Sequence, residues 1–200
     1  ARKKHPWIAK SNFGYVVHEF TAIREMYGMD DKLRPAYDGI VDQLGAHGTP
    51  WGRYMNEQMI SLPLEQHRLL RDTFAVKFTP RFANGLRPVM RANINRILDE
   101  WVPKGRFDFE EMASYFPISV MFSLIGAPLE KIGDMRWSLE TFGLALAMDK
   151  GAVPAINEAY VKTEKFVFDL IADRRANPKS GNANDVLNLL IKTSDSGAIS

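Results

Sequence analysis

The sequence contains no cysteine. Within its 200 residues it therefore offers no disulfide, no thiolate nucleophile and no cysteine ligand for a metal ion. The phosphate-binding glycine loop and the Gly-x-Ser-x-Gly turn of many hydrolases are also missing. The four histidines, His5, His18, His47 and His67, do not have the spacing of zinc ligands. The residues of this chain therefore predict no metal site and no catalytic group of these classes.

The chain also lacks an excess of one charge. Its 26 Lys and Arg residues against 24 Asp and Glu residues leave a net charge of +2, which is too small to favour nucleic acid binding. The longest uncharged stretch, residues 112–129, contains Pro117 and Pro128 and so favours a buried core helix over a membrane span. The first residues have no apolar signal segment. We therefore expect a soluble, cytoplasmic protein without a membrane span.

Hydrophobic periodicity predicts a mainly α-helical fold. Helices are expected at residues 22–27, 37–44, 64–77, 80–101, 129–148, 153–176 and 185–193, and one capped by Asp108 that continues over 117–125. The best strand candidate is a small β element at residues 14–20, followed by Thr21 as a helix cap. Residues 48–62 lack a clear period and are expected to form a long irregular loop with a binding function.

His67 and Arg71 are the most informative residues of the sequence. Because they are four positions apart on a predicted helix, their side chains project from the same face. Both can donate hydrogen bonds, and this pair suits a carboxylate or a phosphate of a ligand. An alternative is a pair at the helix edge that is satisfied by water or by a carboxylate such as Glu65. The spacing alone leaves both interpretations open.

The residues around this pair resemble a known family. Residues 59–71 (MISLPLEQHRLLR), followed by 78–81 (FTPR) and 86–88 (LRP), are similar to the C-helix region of bacterial cytochrome P-450 haem-thiolate monooxygenases. Further matches follow the order of that family, at residues 15–17, 22–25, 107–109, 124–128 and 185–190. One departure lies directly before His67, where Pro-Leu-Glu-Gln replaces the common Asp-Pro-Pro-Glu. The resemblance implies a helical cytochrome P-450 fold.

This resemblance implies how the chain would bind a haem b cofactor. His67 and Arg71 would hold a haem propionate, and Ile60 would lie close to the porphyrin. Residues 1–200 would form the N-terminal part of a single cytochrome P-450-like domain, without its I helix and its cysteine loop. The axial cysteine would follow downstream, so we expect these 200 residues to be inactive by themselves.

The resemblance also implies an apolar small-molecule substrate and an electron-transfer partner such as a ferredoxin. The substrate would contact residues of the loop at 48–62 and of a helical lid, namely Met55, Met59, Phe142, Ala145 and Met148. The partner would dock on a local basic region that includes Arg68, Lys77 and Arg81. The implied reaction inserts one oxygen atom from O₂ into the substrate.

A second interpretation belongs to another functional class. A helical chain of this size without cysteine is also adequate for a non-catalytic ligand-binding or interaction module. That module would use no haem.

Overall fold

The structure is a computed structural model that describes residues 5–12, 14–29, 32–75, 78–177 and 185–197. Its strands are β1 (Ile8–Ser11) and β2 (Gly14–Val17). Its α-helices are α1 (Phe20–Met26), α2 (Tyr37–Leu44), α3 (Pro50–Glu57), α4 (Leu64–Ala75), α5 (Pro80–Gly85), α6 (Arg87–Trp101), α7 (Phe109–Ile125), α8 (Ile132–Thr141), α9 (Val153–Ala176) and α10 (Val186–Asp195). Short 3-10 segments lie at Met59–Ser61, Val102–Lys104, Leu129–Lys131, Phe142–Ala147 and Lys150–Ala152. The predicted mainly α-helical fold with a small β element is confirmed.

The β element is an antiparallel hairpin that pairs Ile8 with Val17. The predicted strand was too long, because β2 ends at Val17 and α1 already begins at Phe20. Glu19 caps that helix, since its carboxylate accepts hydrogen bonds from the backbone N–H groups of Thr21 (2.9 Å) and Ala22 (2.7 Å). The prediction of Thr21 as the cap is therefore wrong.

The loop predicted at residues 48–62 contains a helix. Thr49 starts α3: its Oγ1 accepts a hydrogen bond from the Gly52 N–H (3.0 Å) and donates one to the Ala46 carbonyl (2.7 Å). Pro50 occupies the first helical turn, where its missing N–H costs nothing. The prediction of an irregular loop overlooked this Thr-Pro start, although the same signal correctly located the start of α5 at Thr79 and Pro80.

Two predicted long helices are divided. The helix expected at residues 80–101 breaks at Leu86, because Pro88 has no N–H to continue the ladder of hydrogen bonds. The helix expected at 129–148 has its regular part only in α8, between two 3-10 segments, and ends at Met148 in the left-handed conformation (φ 55°). By contrast, α9 has the predicted bounds, and Asp108 caps α7 as expected.

Helix α9 contributes to two hydrophobic cores. The first core lies between α2, α3, α9 and the segment Phe142–Ala147, and its buried members are Val41, Leu44, Ala46, Trp51, Ala145 and Ile156. The second lies between α7, α8, α9 and α10, and its buried members are Phe122, Ala127, Ile132, Met135, Leu170 and Leu187. The long helix therefore links the region of α3 to the region of α10. Within the described ranges, none of the helices combines the length and the apolar character that a membrane crossing requires.

A buried ion pair closes the second core. The Arg174 and Asp185 side chains are each only 2% exposed, and Arg174 Nη1 donates to Asp185 Oδ2 at 2.7 Å. Arg174 also donates from Nη2 to the Gly126 carbonyl at 2.5 Å, and Asp185 caps α10 by accepting from the Asn188 N–H at 2.8 Å. Gly126 has φ 67°, and a side chain there would collide with both partners. The pair thus joins the ends of α7, α9 and α10, and the sequence pattern did not reveal it.

Candidate functional site

The candidate site lies where the 3-10 segment Met59–Ser61 meets the start of α4. Hydrogen bonds to the end of α3 hold this segment: Ser61 Oγ donates to the Met55 carbonyl at 2.6 Å, and Gln58 Nε2 donates to the same carbonyl at 3.3 Å. Pro63 begins the turn into α4, and its carbonyl accepts from the His67 N–H at 2.8 Å. The position of α3 therefore determines where Met59 and Ile60 lie relative to α4.

His67 is half-buried against this segment. Its Nδ1 donates a hydrogen bond to the Met59 carbonyl at 3.1 Å, and this contact fixes the orientation of the ring. The other ring nitrogen, Nε2, has no hydrogen-bond partner in the part of the chain that the structure describes. The ring is thus held by one side and available for binding on the other.

Arg71 lies one turn further along α4 on the same face and is exposed. Of the two side chains, only that of His67 is half-buried. Among the described residues, Arg71 makes no hydrogen bond and no ion pair, and Glu65 does not pair with it or with His67. The intramolecular carboxylate considered as an alternative partner is therefore not used.

A groove of about 210 Å³ runs beside His67. Its walls are mostly apolar and combine the segment before α2 with the turn into α4: Leu33, Arg34, Pro35, Ile60, Leu62, Pro63, Leu64 and His67. The structure thus brings together Ile60 and His67, two of the residues predicted to bind the cofactor. It adds Arg34, which the sequence analysis missed because no helical period connects residue 34 with residue 67.

The Arg34 guanidinium is paired with Asp38 of α2. Its Nη2 lies 2.8 Å from Asp38 Oδ2, and this hydrogen bond, with a second from the Gly39 N–H, holds the pKa of Asp38 below its usual range. The Arg34 side chain remains 76% exposed. The groove therefore has a basic residue from each of its two walls.

The residues predicted to contact a substrate occupy two places. Met55, Phe142 and Ala145 belong to the first core: Ala145 is buried in it, and Met55 and Phe142 pack against it. Met59 lies beside His67, and Met148 ends the 3-10 segment after α8. The structure therefore brings Met55, Phe142 and Ala145 together and leaves the substrate contacts themselves as predictions.

Phe142 also lines an apolar pocket of about 320 Å³ between α3 and α9. One wall of this pocket is polar: Tyr160 donates from its hydroxyl to Glu164 Oε1 at 2.8 Å, and Arg53 lies 3.7 Å from the same oxygen. Burial, together with the hydrogen bond to Glu164, raises the pKa of Tyr160 to about 12. The sequence analysis did not reveal this network.

The basic residues predicted to bind a redox partner are placed in part. Arg68 on α4 and Arg81 on α5 are both exposed. Lys77 lies outside the described residues. In those described ranges, no group of three or more His, Asp or Glu side chains is arranged to hold a metal ion.

Two curated proteins are similar to this chain in sequence. The luteothin monooxygenase of Streptomyces thioluteus is 29% identical over 190 residues, which are 94% of this chain and 46% of that protein. The polyketide biosynthesis cytochrome P-450 PksS of Bacillus subtilis (strain 168) is 24% identical over 147 residues, which are 72% of this chain and 34% of that protein. The chain thus spans less than half the length of either relative. No protein-family model matches it.

Solved structures match the fold of the whole chain. The crystal structure of CalO2 superposes with a TM-score of 0.79 at 20% identity, over 100% of this chain and 50% of CalO2. The epothilone B-bound cytochrome P-450epoK superposes with a TM-score of 0.77 at 20% identity, over 100% of this chain and 51% of that structure. Each known structure is therefore matched over about half of its own length.

Proposed function

Because the chain has the cytochrome P-450 fold, we propose that it is the N-terminal part of a haem-thiolate monooxygenase. The fold confirms the resemblance predicted from the sequence. Its own task in that enzyme is to hold the haem by a propionate and to form part of the substrate pocket. One observation carries the proposal: His67 and Arg71 share a face, and His67 Nε2 and Arg71 have no partner among the described residues.

The residues around this pair fit a haem. A haem propionate is a carboxylate attached to a large apolar ring, and it needs basic side chains next to an apolar surface. The Arg71 guanidinium can donate two parallel hydrogen bonds to one carboxylate, with the His67 ring beside it. Ile60, which is 44% exposed, and Leu62 supply apolar surface next to the same groove. When bound, a thiolate-ligated haem supplies the chemistry of O₂ activation, with electrons from a redox partner.

Substitution of Arg71 tests this proposal. In the complete protein, Arg71→Ala should release haem to excess apomyoglobin about tenfold faster than the wild type, because a charge-assisted hydrogen bond to the propionate is lost. Arg91→Ala is the matched control, since it also removes an exposed arginine but takes it from α6 instead of α4. Equal rates for the wild type and Arg71→Ala, or a complete protein without haem, would contradict the haem-binding function and favour the helical ligand-binding module.

The proposed electron donor is an acidic protein such as a ferredoxin, and the exposed arginines Arg68 and Arg81 support this choice by their charge. Charge reversal at both positions should slow reduction of the haem by the ferredoxin about tenfold at low ionic strength and weaken the salt dependence of the rate. Arg24→Glu makes the same charge change on α1 and should leave the rate unchanged. An unaltered rate in the Arg68 and Arg81 variant would refute this docking surface.

The proposed substrate is an apolar organic molecule. The support is the pocket between α3 and α9, which is mostly apolar and is lined by Phe142. The structural relative cytochrome P-450epoK was solved with epothilone B, and the two sequence relatives are named as a luteothin monooxygenase and a polyketide biosynthesis cytochrome P-450.

A further inference from the structure

The groove beside His67 has a basic side chain on each wall. His67 belongs to α4, and Arg34 belongs to the segment that precedes α2, 33 residues earlier in the sequence. Between them lie mainly apolar side chains, among them Ile60 and Leu62. Both side chains line the same groove of about 210 Å³, so a carboxylate bound there next to His67 would face the long side chain of Arg34 as well.

The local sequence keeps Arg34 in the segment before α2. Pro35 restricts the backbone of the preceding residue to extended conformations, which keeps Arg34 out of α2. Asp38 then holds the guanidinium through one nitrogen, Nη2, at 2.8 Å. A guanidinium has five N–H donors, and the other donors of Arg34 bond to none of the described residues, so they can serve a second acceptor. Arg34 is therefore held in place without being saturated.

The ion pair with Asp38 does not by itself explain the arginine. Arg34 precedes the N-terminus of α2, where the helix dipole disfavours a positive charge, whereas Asp38 in the first turn is favourable without any partner. Both side chains are substantially exposed, 76% for Arg34 and 47% for Asp38, so their pairing contributes little to stability. The positive charge of Arg34 would interact more favourably with an anion bound in the groove.

We propose that Arg34 is a third anion-binding residue, which acts with His67 and Arg71 on the carboxylate of the same bound cofactor. This inference rests on the proposed haem-binding function. It assigns the segment before α2, and not α4 alone, to the binding of the propionate. Asp38 is then a positioning residue that orients Arg34 and also reduces its effective positive charge.

Two variants with opposite expected effects test the role of Arg34. In the complete protein, Arg34→Gln should increase the rate of haem transfer to apomyoglobin about fivefold, because it removes a partly exposed charge from the carboxylate. Asp38→Asn keeps an oxygen that can accept from Arg34 but removes the negative charge, so haem transfer should become about twofold slower. If Arg34 served only to pair with Asp38, both variants would accelerate haem loss or neither would change it, and either result would overturn the inference.

The cofactor itself provides a second control. Iron protoporphyrin IX dimethyl ester carries no carboxylate charge, so the difference between Arg34→Gln and the wild type should disappear when the protein is reconstituted with the ester. A difference that persists would show that Arg34 acts on the fold and would refute the contact with the carboxylate. Arg24→Gln, an exposed arginine outside the groove, should behave as the wild type with both cofactors.

The failure of this inference can be told apart from the failure of the proposed function. If Arg71→Ala accelerates haem transfer and Arg34→Gln does not, only the role of Arg34 is wrong. If neither variant changes the rate, haem binding at this face of α4 is itself wrong.

Discussion

Two arginines of this molecule, Arg174 and Arg71, lie on helices in opposite situations. Arg174 is buried, and Asp185 and the Gly126 carbonyl satisfy its guanidinium within the chain. Arg71 is exposed and makes no hydrogen bond or ion pair with any described residue. The same contrast extends to the two regions, because the second core is closed beside Arg174, whereas apolar side chains such as Ile60 remain partly exposed in the groove at His67, one turn from Arg71 on α4.

The contrast distinguishes structural from binding side chains. A buried guanidinium without a partner is very costly, so the fold must supply one, and the partner then becomes part of the architecture. An exposed arginine carries no such requirement, and its free donors are available to another molecule. On this criterion Arg174 stabilises the chain and Arg71 serves binding.

The largest effect is expected from removing the buried guanidinium of Arg174. Arg174→Met leaves Asp185 buried without its partner, and we expect it to lower the free energy of unfolding by about 3–5 kcal/mol. The neighbouring Arg175 offers the matched control, because it pairs with Asp195 at 2.6 Å while both side chains are more than half exposed. Arg175→Met should cost no more than about 1 kcal/mol. Urea unfolding of the complete protein measures both free energies. Equal losses for the two variants would contradict the distinction between the buried and the exposed arginine.

A change at Gly52 should have the next largest effect, and it tests whether the position of α3 determines haem binding at His67. A methyl group on Gly52 would collide with the Ala46 carbonyl, so Gly52→Ala must displace α3. We expect the free energy of unfolding to fall by about 2–3 kcal/mol. Because the Ser61 hydroxyl donates a hydrogen bond to the Met55 carbonyl of α3, haem binding at His67 should also become weaker. Gly39→Ala in α2 has open space around the new methyl group and should stabilise the protein by about 0.5–1 kcal/mol.

Thermal unfolding and haem retention of the Gly52→Ala and Gly39→Ala variants separate these effects. Wild-type haem retention in a destabilised Gly52→Ala protein would show that the site does not depend on the position of α3.

The smallest expected effect concerns Tyr160. Burial and the hydrogen bond to Glu164 raise its pKa to about 12. A tyrosine in the unfolded chain titrates near pH 10, so the folded protein keeps a proton that the unfolded chain loses. The stability that this tyrosine contributes is therefore complete below about pH 10 and is lost as the pH rises towards 12. Tyr160→Phe should make the loss of stability between these pH values less steep in urea unfolding. The control Tyr27→Phe removes a side chain that is 83% exposed and should keep the wild-type slope.

The helices could be predicted wherever a single signal dominated. The bounds of α9 and the Asp108 cap of α7 follow from local features, and the structure confirms both. The errors arose where short signals compete: Thr49 and Pro50 start a helix inside a segment without periodicity, and Pro88 interrupts a continuous stripe. Tertiary partners could not be predicted, because neither the pairing of Arg174 with Asp185 nor the approach of Arg34 to His67 leaves a periodic trace.

The candidate site was predictable on one side, which consists of α4 and the 3-10 segment before it. The spacing of His67 and Arg71 placed both on one face, as the structure shows. The opposite wall depends on the packing of the segment before α2, which the residue types at positions 33–35 do not encode.

The hydrogen bond between His67 and the Met59 carbonyl has a consequence for the chemistry of the ring. A carbonyl oxygen has no hydrogen to give, so Nδ1 must carry the hydrogen, and the backbone thereby selects one of the two imidazole tautomers. In the neutral ring Nε2 then bears a lone pair, which repels a carboxylate oxygen. His67 can therefore donate a hydrogen bond from Nε2 to an anion only as the imidazolium, in which both ring nitrogens carry a hydrogen.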